Sequence, residues 1–113
     1  MKILITGSRN HDPEWVCSRI LGWLAGCTLE PGERVTIIHG DATGADQGAH
    51  LASTRITEAA EVRVPAQWES LGKPAGPRRN VEVLAFPLGE SRGARHCMAA
   101  AREREIPVVE FEP

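Results

Sequence analysis

The stretch VTIIHGDATGAD, residues 35–46, joins an apolar run to a corner rich in glycine and aspartate. Residues 35–38 are apolar or β-branched at consecutive positions, which is typical of a strand buried on both faces of a parallel sheet. Beyond the corner, small and apolar residues form a packing face at helical spacing: Ala45, Ala49, Leu51 and Ala52. The stretch therefore predicts a strand, a tight corner and a helix in direct succession.

The same alternation continues along the chain. Strands are predicted over residues 2–6, 34–39, 61–65, 81–86 and 106–111, and helices over residues 13–26, 43–54 and 92–104. The first helix begins with Asp12 before Pro13, an N-cap followed by proline at the first helical position. Residues 66–80 are rich in glycine and proline and are predicted to form a loop. Strands that alternate with helices predict one α/β domain with an open parallel sheet.

Length and composition fit a single globular domain. The chain has 113 residues, of which 42% are hydrophobic and 25% charged, and its formal net charge is -2. No apolar run reaches the ~18 residues of a membrane span. The first residues form a short strand that ends at Gly7, unlike a signal peptide, so we expect a cytoplasmic protein without a membrane partner.

Cysteine and histidine spacing gives no sign of a disulfide framework or a metal site. The three cysteines form no C-x-x-C pair, which favours a reduced, cytoplasmic protein. The four histidines lack the spacing of metal ligands, so no metal is expected. Cys97 is predicted to be a core residue, because neighbouring His96 would point elsewhere on a helix and cannot activate it.

Three of the predicted strands are followed by loops of similar chemical character. The residues concerned are Gly7, Ser8 and Arg9 after the first strand, Gly40, Asp41, Thr43, Gly44 and Asp46 after the second, and Ser91, Arg92 and Gly93 after the fourth. The carboxyl ends of parallel strands share one rim of a sheet, and ligands bind there where the strand order reverses. Glycines, hydroxyls, arginines and helix N-termini on one rim predict a binding site for a nucleotide phosphate.

A purely structural interpretation of these loops competes with the ligand site. Strand-to-helix corners use glycine, serine, threonine and aspartate for turns and caps whether or not a ligand binds. The aspartates would repel a phosphate, so they need another role. Asp46 can act as a cap or hold a neighbouring loop, and Asp41 can accept a hydrogen bond from a ribose hydroxyl.

Arginine dominates the basic residues, with eleven arginines against two lysines. Base composition of the source genome explains such a bias without any function. Several arginines nevertheless fall in or beside predicted loops, where a planar guanidinium suits phosphate: Arg9, Arg78, Arg79, Arg92 and Arg95. The slightly acidic chain fits a small anionic ligand, and the absence of a broad basic face argues against duplex nucleic acid.

The chain resembles the SLOG superfamily, the SMF/DprA and LOG group, in its small YspA-like branch. The matching stretches run in order along the chain: ITGSR at 5–9, HGDATGAD at 39–46, VPAQWESLGKPAGPRRN at 64–80, LAFP at 84–87, SRGARH at 91–96 and REIPVVEF at 104–111. The resemblance implies a Rossmann-like sheet of about five strands that binds a nucleotide. It also implies that Arg79 and Asn80 line the pocket and that Ser91, Arg92 and Gly93 hold phosphate.

Two departures from this family limit what the resemblance implies. LOG enzymes hydrolyse cytokinin riboside phosphates with a threonine and a glutamate after the fourth strand, where this chain has Ala94 and Cys97. Without that glutamate, no acid stabilises a sugar cation at this position. The connection before residue 81 also lacks the helix of similar sequences, so one sheet face can remain uncovered. We therefore expect a homodimer in which a second protomer covers that face.

Three functions remain open from the sequence. The first is binding of a nucleotide or nucleotide-derived ligand by a sensor or sequestering module. The second is hydrolysis of an N-glycosidic or phosphoribosyl bond with a divergent catalytic residue. The third is a DNA-processing accessory or protein-interaction module, since DprA relatives handle single-stranded DNA.

Three tryptophans and one histidine are further candidates for ligand contacts. Trp15 and Trp23 on the first helix are predicted to pack in the core or an interface. For Trp68, packing and base stacking are equally compatible with its place in a predicted loop. His39 ends a buried strand beside the pocket and is predicted to be a hydrogen-bonded structural histidine.

Overall fold

The computed structural model describes residues 1–40, 42–57, 59–63, 81–88 and 92–112. Five strands and three helices lie within them. Their bounds are β1 Lys2–Gly7, α1 Pro13–Ala25, β2 Thr36–His39, α2 Ala45–Arg55, β3 Ala60–Arg63, β4 Val81–Phe86, α3 Arg92–Glu103 and β5 Val108–Glu110. The predicted α/β class, with strands alternating with helices, is confirmed.

The five strands form one parallel sheet in the order β3-β2-β1-β4-β5. Strand β1 lies at the centre, where Leu4 is in register with Ile38 of β2 on one side and Val83 of β4 on the other. Successive strands run outward from β1 to β3, and the chain then returns to the other side of β1. The order therefore reverses between β1 and β4, as in Rossmann-like sheets, and the loops after all parallel strands open at one rim.

The core has one layer on each face of the sheet. On one face, Ile3, Ile5 and Ile37 are buried together with residues of α1 and α2. On the other face, Leu4 and Val83 are buried against Cys97 of α3. Odd and even residues of β1 thus enter different layers, as the two-residue period of a strand requires, and this central strand has no solvent-facing side.

Helix α1 begins where the sequence predicts it. The Asp12 carboxylate accepts a hydrogen bond from the Glu14 amide at 3.1 Å, and Pro13 occupies the first turn. Its aromatic residues pack as predicted. Trp15 stacks on His11 with ring centroids 5.2 Å apart, and Trp23 lies partly buried against the core.

Several boundaries differ from the sequence prediction by one or two residues, and two of the differences have identifiable reasons. Strand β5 begins at Val108, two residues late, because Pro107 has no amide hydrogen and enters the ladder only through its carbonyl, which accepts from Val83 at 2.9 Å. Helix α2 begins at Ala45, since Gly44 has a positive φ of 68° that no helical residue adopts.

No helix within the described ranges is long and apolar enough to cross a membrane. The predicted loop over residues 66–80 lies outside those ranges, as does Trp68.

Helices α1 and α2 contact each other at Gly48, and Gly22 on α1 provides a matched control for its substitution. A Cβ on Gly48 of α2 would lie 2.6 Å from Val16 of α1 and 2.8 Å from the Pro13 carbonyl, whereas a Cβ on exposed Gly22 of α1 would meet nothing within 4 Å. We expect Gly48→Ala to lower the free energy of unfolding by ~1–3 kcal/mol through overpacking. The matched Gly22→Ala should raise it by ~0.5–1 kcal/mol through helix propensity. Urea denaturation of both variants measures this difference, and equal effects would contradict the described packing.

Candidate functional site

The loops after β1 and β2 meet through their main chains. The Ala45 amide donates to the Ser8 carbonyl at 3.0 Å, and the Thr43 hydroxyl donates to the Arg9 carbonyl at 3.2 Å. Gly44 lies between them, and a Cβ there would overlap the carbonyl groups of both Ser8 and Arg9. The second glycine of the HGDATGAD corner is therefore required by close approach as well as by its positive φ.

Asp46 holds the corner from the first turn of α2. Its carboxylate accepts a hydrogen bond from the Ala42 amide at 3.2 Å, and only 7% of the residue is exposed. One of its two proposed roles, fixing a neighbouring loop, is thus confirmed. An aspartate near a helix N-terminus also interacts favourably with the helix dipole.

A cleft of about 600 Å³ opens at the rim beside this corner. Its described lining comes from the β1–α1 loop, the β2–α2 corner, α2 and the end of β3: Arg9, His39, Gly40, Ala42, Thr43, Asp46, Gln47, His50 and Arg63. The first two rim loops therefore converge on one space, as predicted. The cleft extends toward β3, on the side of β1 away from the reversal of strand order.

The predicted site residues divide into four groups. Those that line the cleft are Arg9, Gly40, Thr43 and Asp46. Those that support it from the main chain are Gly7, Ser8 and Gly44, with Gly7 packed against Phe86 and Ala45. Those in the first turn of α3 are Arg92 and Gly93. Those outside the described ranges are Asp41, Arg79, Asn80 and Ser91.

Two histidines of the cleft lining, His39 and His50, share a carboxylate on β3, and sequence reasoning missed this group. One oxygen of Glu61, Oε2, lies 2.7 Å from Nε2 of His39 and 2.8 Å from Nδ1 of His50. Because an ionised carboxylate only accepts hydrogen bonds, both ring nitrogens carry a proton and donate it. His39 is 1% exposed, so the prediction of a hydrogen-bonded structural histidine is confirmed.

The ionised form of Glu61 is favoured by its partners. Burial alone would raise the pKa of this carboxyl, but the hydrogen bonds from His39 and His50 outweigh burial, and the pKa lies below its ordinary value. The guanidinium of Arg63 is 3.5 Å from the other carboxylate oxygen. It is also 3.5 Å from Nδ1 of His50, which already donates to Glu61 and therefore cannot accept from Arg63.

Register and helix spacing build this group. Glu61 is in register with Ile37, so its side chain lies on the α2 face of the sheet. His50 follows Asp46 by one helical turn, which brings both to the side of α2 that faces the cleft. The available signal was Glu61 at a core-facing position of the third predicted strand, where a charged residue requires a partner.

Cys97 is a core residue, as predicted. It is 1% exposed, and burial raises the pKa of its thiol to about 11, against a hydrogen bond with Thr6 that lowers it and the nearby Asp46 charge that raises it further. The thiol is therefore protonated at neutral pH and is a poor nucleophile.

The chain is 37% identical to the Gene 61 protein of Mycobacterium phage D29, over an alignment of 124 positions that covers 97% of this chain and 95% of the phage protein. It belongs to the Gene 61 protein family. No protein-family model and no solved structure matches the chain. The alignment thus covers nearly all of both proteins.

The pKa of Glu61 leads to a prediction for acid stability. Because its folded-state pKa is depressed, ionised Glu61 stabilises the fold above its ordinary pKa, and this contribution is lost as pH falls through the folded-state pKa. We expect Glu61→Gln to lower the free energy of unfolding at pH 7 by ~1–2 kcal/mol and to flatten its decline below about pH 4.5.

Urea denaturation across pH 3–8 tests this expectation, with Glu103→Gln as the control because Glu103 is exposed on α3. The control should leave both the stability at pH 7 and the acid limb close to those of the unsubstituted protein. Equal acid limbs in Glu61→Gln and the unsubstituted protein would contradict the described hydrogen bonds.

Proposed function

We propose that this member of the Gene 61 family binds a nucleotide or nucleotide-derived ligand in the rim cleft, as a cytoplasmic sensor or sequestering module. The observation that carries the proposal is the convergence of two rim loops on a cleft of about 600 Å³ with a guanidinium from Arg9 and another from Arg63 in its lining. Ligand sites in proteins typically occupy about 300–1,000 Å³, and arginine is suited to phosphate.

The main-chain contacts of the corner support a preformed site. Ala45 donates to Ser8 and Thr43 donates to Arg9, so the loops are fixed relative to each other without a ligand. A ligand that binds a fixed site loses less of its affinity to the ordering of loops. The stacked position of Trp15 on His11 commits this side chain to packing, which leaves base recognition to other residues.

The resemblance to the SLOG superfamily supports the same ligand class. By that resemblance, the site extends past the end of β4 to Ser91, Arg92 and Gly93. Arg79 and Asn80 are not included in this proposal, because they directly precede Val81, which is in register with Lys2 at the amino end of β1, away from the rim. The reversal of strand order between β1 and β4 favours this extension, because ligands of open α/β sheets bind where the order reverses.

Removal of Arg9 tests the proposed site. We expect Arg9→Ala to weaken nucleotide binding by ~1.5–3 kcal/mol, which is the usual contribution of a charged hydrogen bond. Isothermal titration with AMP, ATP, cyclic AMP and ADP-ribose measures the effect. The control is Arg34→Ala, which removes the same charge just before β2, at the amino ends of the strands away from the rim, and should leave affinity unchanged. Binding that is equal in both variants, or absent in the unsubstituted protein for all four ligands, would refute the proposal.

We also propose that two copies associate through the face of the sheet opposite α2. Val62 of edge strand β3 is 40% exposed there, beside half-buried Ile38 of β2. Exposed apolar residues on an edge strand favour association.

Light scattering at micromolar concentration should give a dimer, and Val62→Glu should give a monomer because a buried, unpaired charge opposes association. Leu29→Glu is the control, since Leu29 is 38% exposed in the connection between α1 and β2. A monomeric unsubstituted protein would rule out this association.

A further inference from the structure

His50 presents one ring edge to Glu61 and belongs to the lining of the cleft. Its side chain is 42% exposed, and its Nδ1 donates to the Glu61 carboxylate at 2.8 Å. Within the described ranges, no hydrogen bond reaches the other ring nitrogen, Nε2. Since the bond to Glu61 keeps the proton on Nδ1, Nε2 of the neutral ring carries a lone pair that can accept a proton.

Glu61 is itself fixed by a hydrogen bond from a second histidine. His39 of β2 is buried and donates from Nε2 to the same carboxylate oxygen at 2.7 Å. The carboxylate therefore cannot turn away from His50 without breaking a partly buried, charge-assisted hydrogen bond. A carboxylate that fixes the tautomer and orientation of a histidine is the arrangement that general bases use in hydrolytic enzymes.

The charges of the cleft favour one kind of reaction for such a base. Both carboxylates near His50 are engaged, Asp46 with the Ala42 amide and Glu61 with two imidazoles. The described lining also carries two guanidinium groups, that of Arg9 and that of Arg63, which itself lies 3.5 Å from the Glu61 carboxylate. Positive groups stabilise the negative charge of a phosphoryl transition state, whereas a sugar cation requires a facing carboxylate.

We propose that His50 is a catalytic general base that hydrolyses a phosphate ester or anhydride bond of a nucleotide bound in the cleft, with Glu61 and His39 as positioning residues. This inference rests on the proposed function. Nε2 of His50 takes a proton from water as the water oxygen bonds to phosphorus. The bond from phosphorus to the bridging oxygen breaks on the opposite side of phosphorus, and its electron pair stays on that oxygen. The leaving oxygen takes a proton from solvent water, and the imidazolium of His50 releases its proton to solvent.

Phosphorus NMR of the full chain incubated with ATP, cyclic AMP or ADP-ribose, each with and without Mg²⁺, tests the proposal. We expect turnover of at least one of these compounds and a fall in kcat of about 100- to 10,000-fold in His50→Gln. Added imidazole should restore part of the activity of His50→Gly, which a merely structural histidine would not allow. His96→Gln is the control, because His96 is exposed on α3 and should be replaceable without loss.

The positioning residues have their own readout. Glu61→Gln should lower kcat at least ~10-fold while KM changes little, because the substituted amide no longer fixes the His50 tautomer. His39→Gln should act in the same direction through Glu61. Circular dichroism confirms that each variant is folded, and His50→Asn replaces His50→Gln if the latter is not.

Each outcome separates the two proposals. Nucleotide binding by titration without turnover of any of the three compounds overturns the catalytic role and leaves the binding function in place. Turnover that is equal in His50→Gln and the unsubstituted protein also overturns the role of His50. Absence of both binding and turnover overturns both proposals.

Discussion

The close approach of the first rim loop to the start of α2 determines the position of everything around the cleft. Gly44 has room for a hydrogen only, and the flanking Ala45 amide and Thr43 hydroxyl bond to carbonyls of the β1–α1 loop. These contacts set where α2 begins and how it is rotated about its axis. Asp46 and His50, one turn apart, reach the cleft because that rotation is fixed.

Glu61 links the strands to helix α2 on the β3 side of the cleft. Its carboxylate joins His39 of β2 to His50 of α2 from β3, so one side chain links three elements that are distant in sequence. A carboxylate left there without partners would be costly, since it is only 20% exposed. The hydrogen bonds from the two imidazoles stabilise the carboxylate there, and they also fix the position of edge strand β3 relative to α2.

The sequence predicted most of the fold because each part carried a local signal. Apolar runs marked the strands, and Asp12 with Pro13 marked the start of α1. Boundaries were missed where one atom decides them, such as the absent amide hydrogen of Pro107. The apolar runs and the N-cap depend on neighbouring residues only, so a pattern in the sequence can reveal them.

The candidate site was predicted in part, and the division has a physical cause. Gly40, Thr43 and Asp46 lie in one continuous corner, so spacing alone placed them together. Glu61 and His50 are eleven residues apart, and their contact depends on the register of β3 against β2. Register is a property of the assembled sheet. The sequence pattern therefore predicted the corner and not the contact between Glu61 and His50.

The frame of the first two rim loops depends largely on main-chain atoms, and this has an evolutionary consequence. The bond from Ala45 to Ser8 and the fit of Gly44 use no side-chain group. Members of the family can therefore exchange exposed residues such as Arg9 or Gln47 and keep the same corner geometry. Drift at these positions would diversify what the domain recognises while the glycine and the backbone scaffold stay under purifying selection.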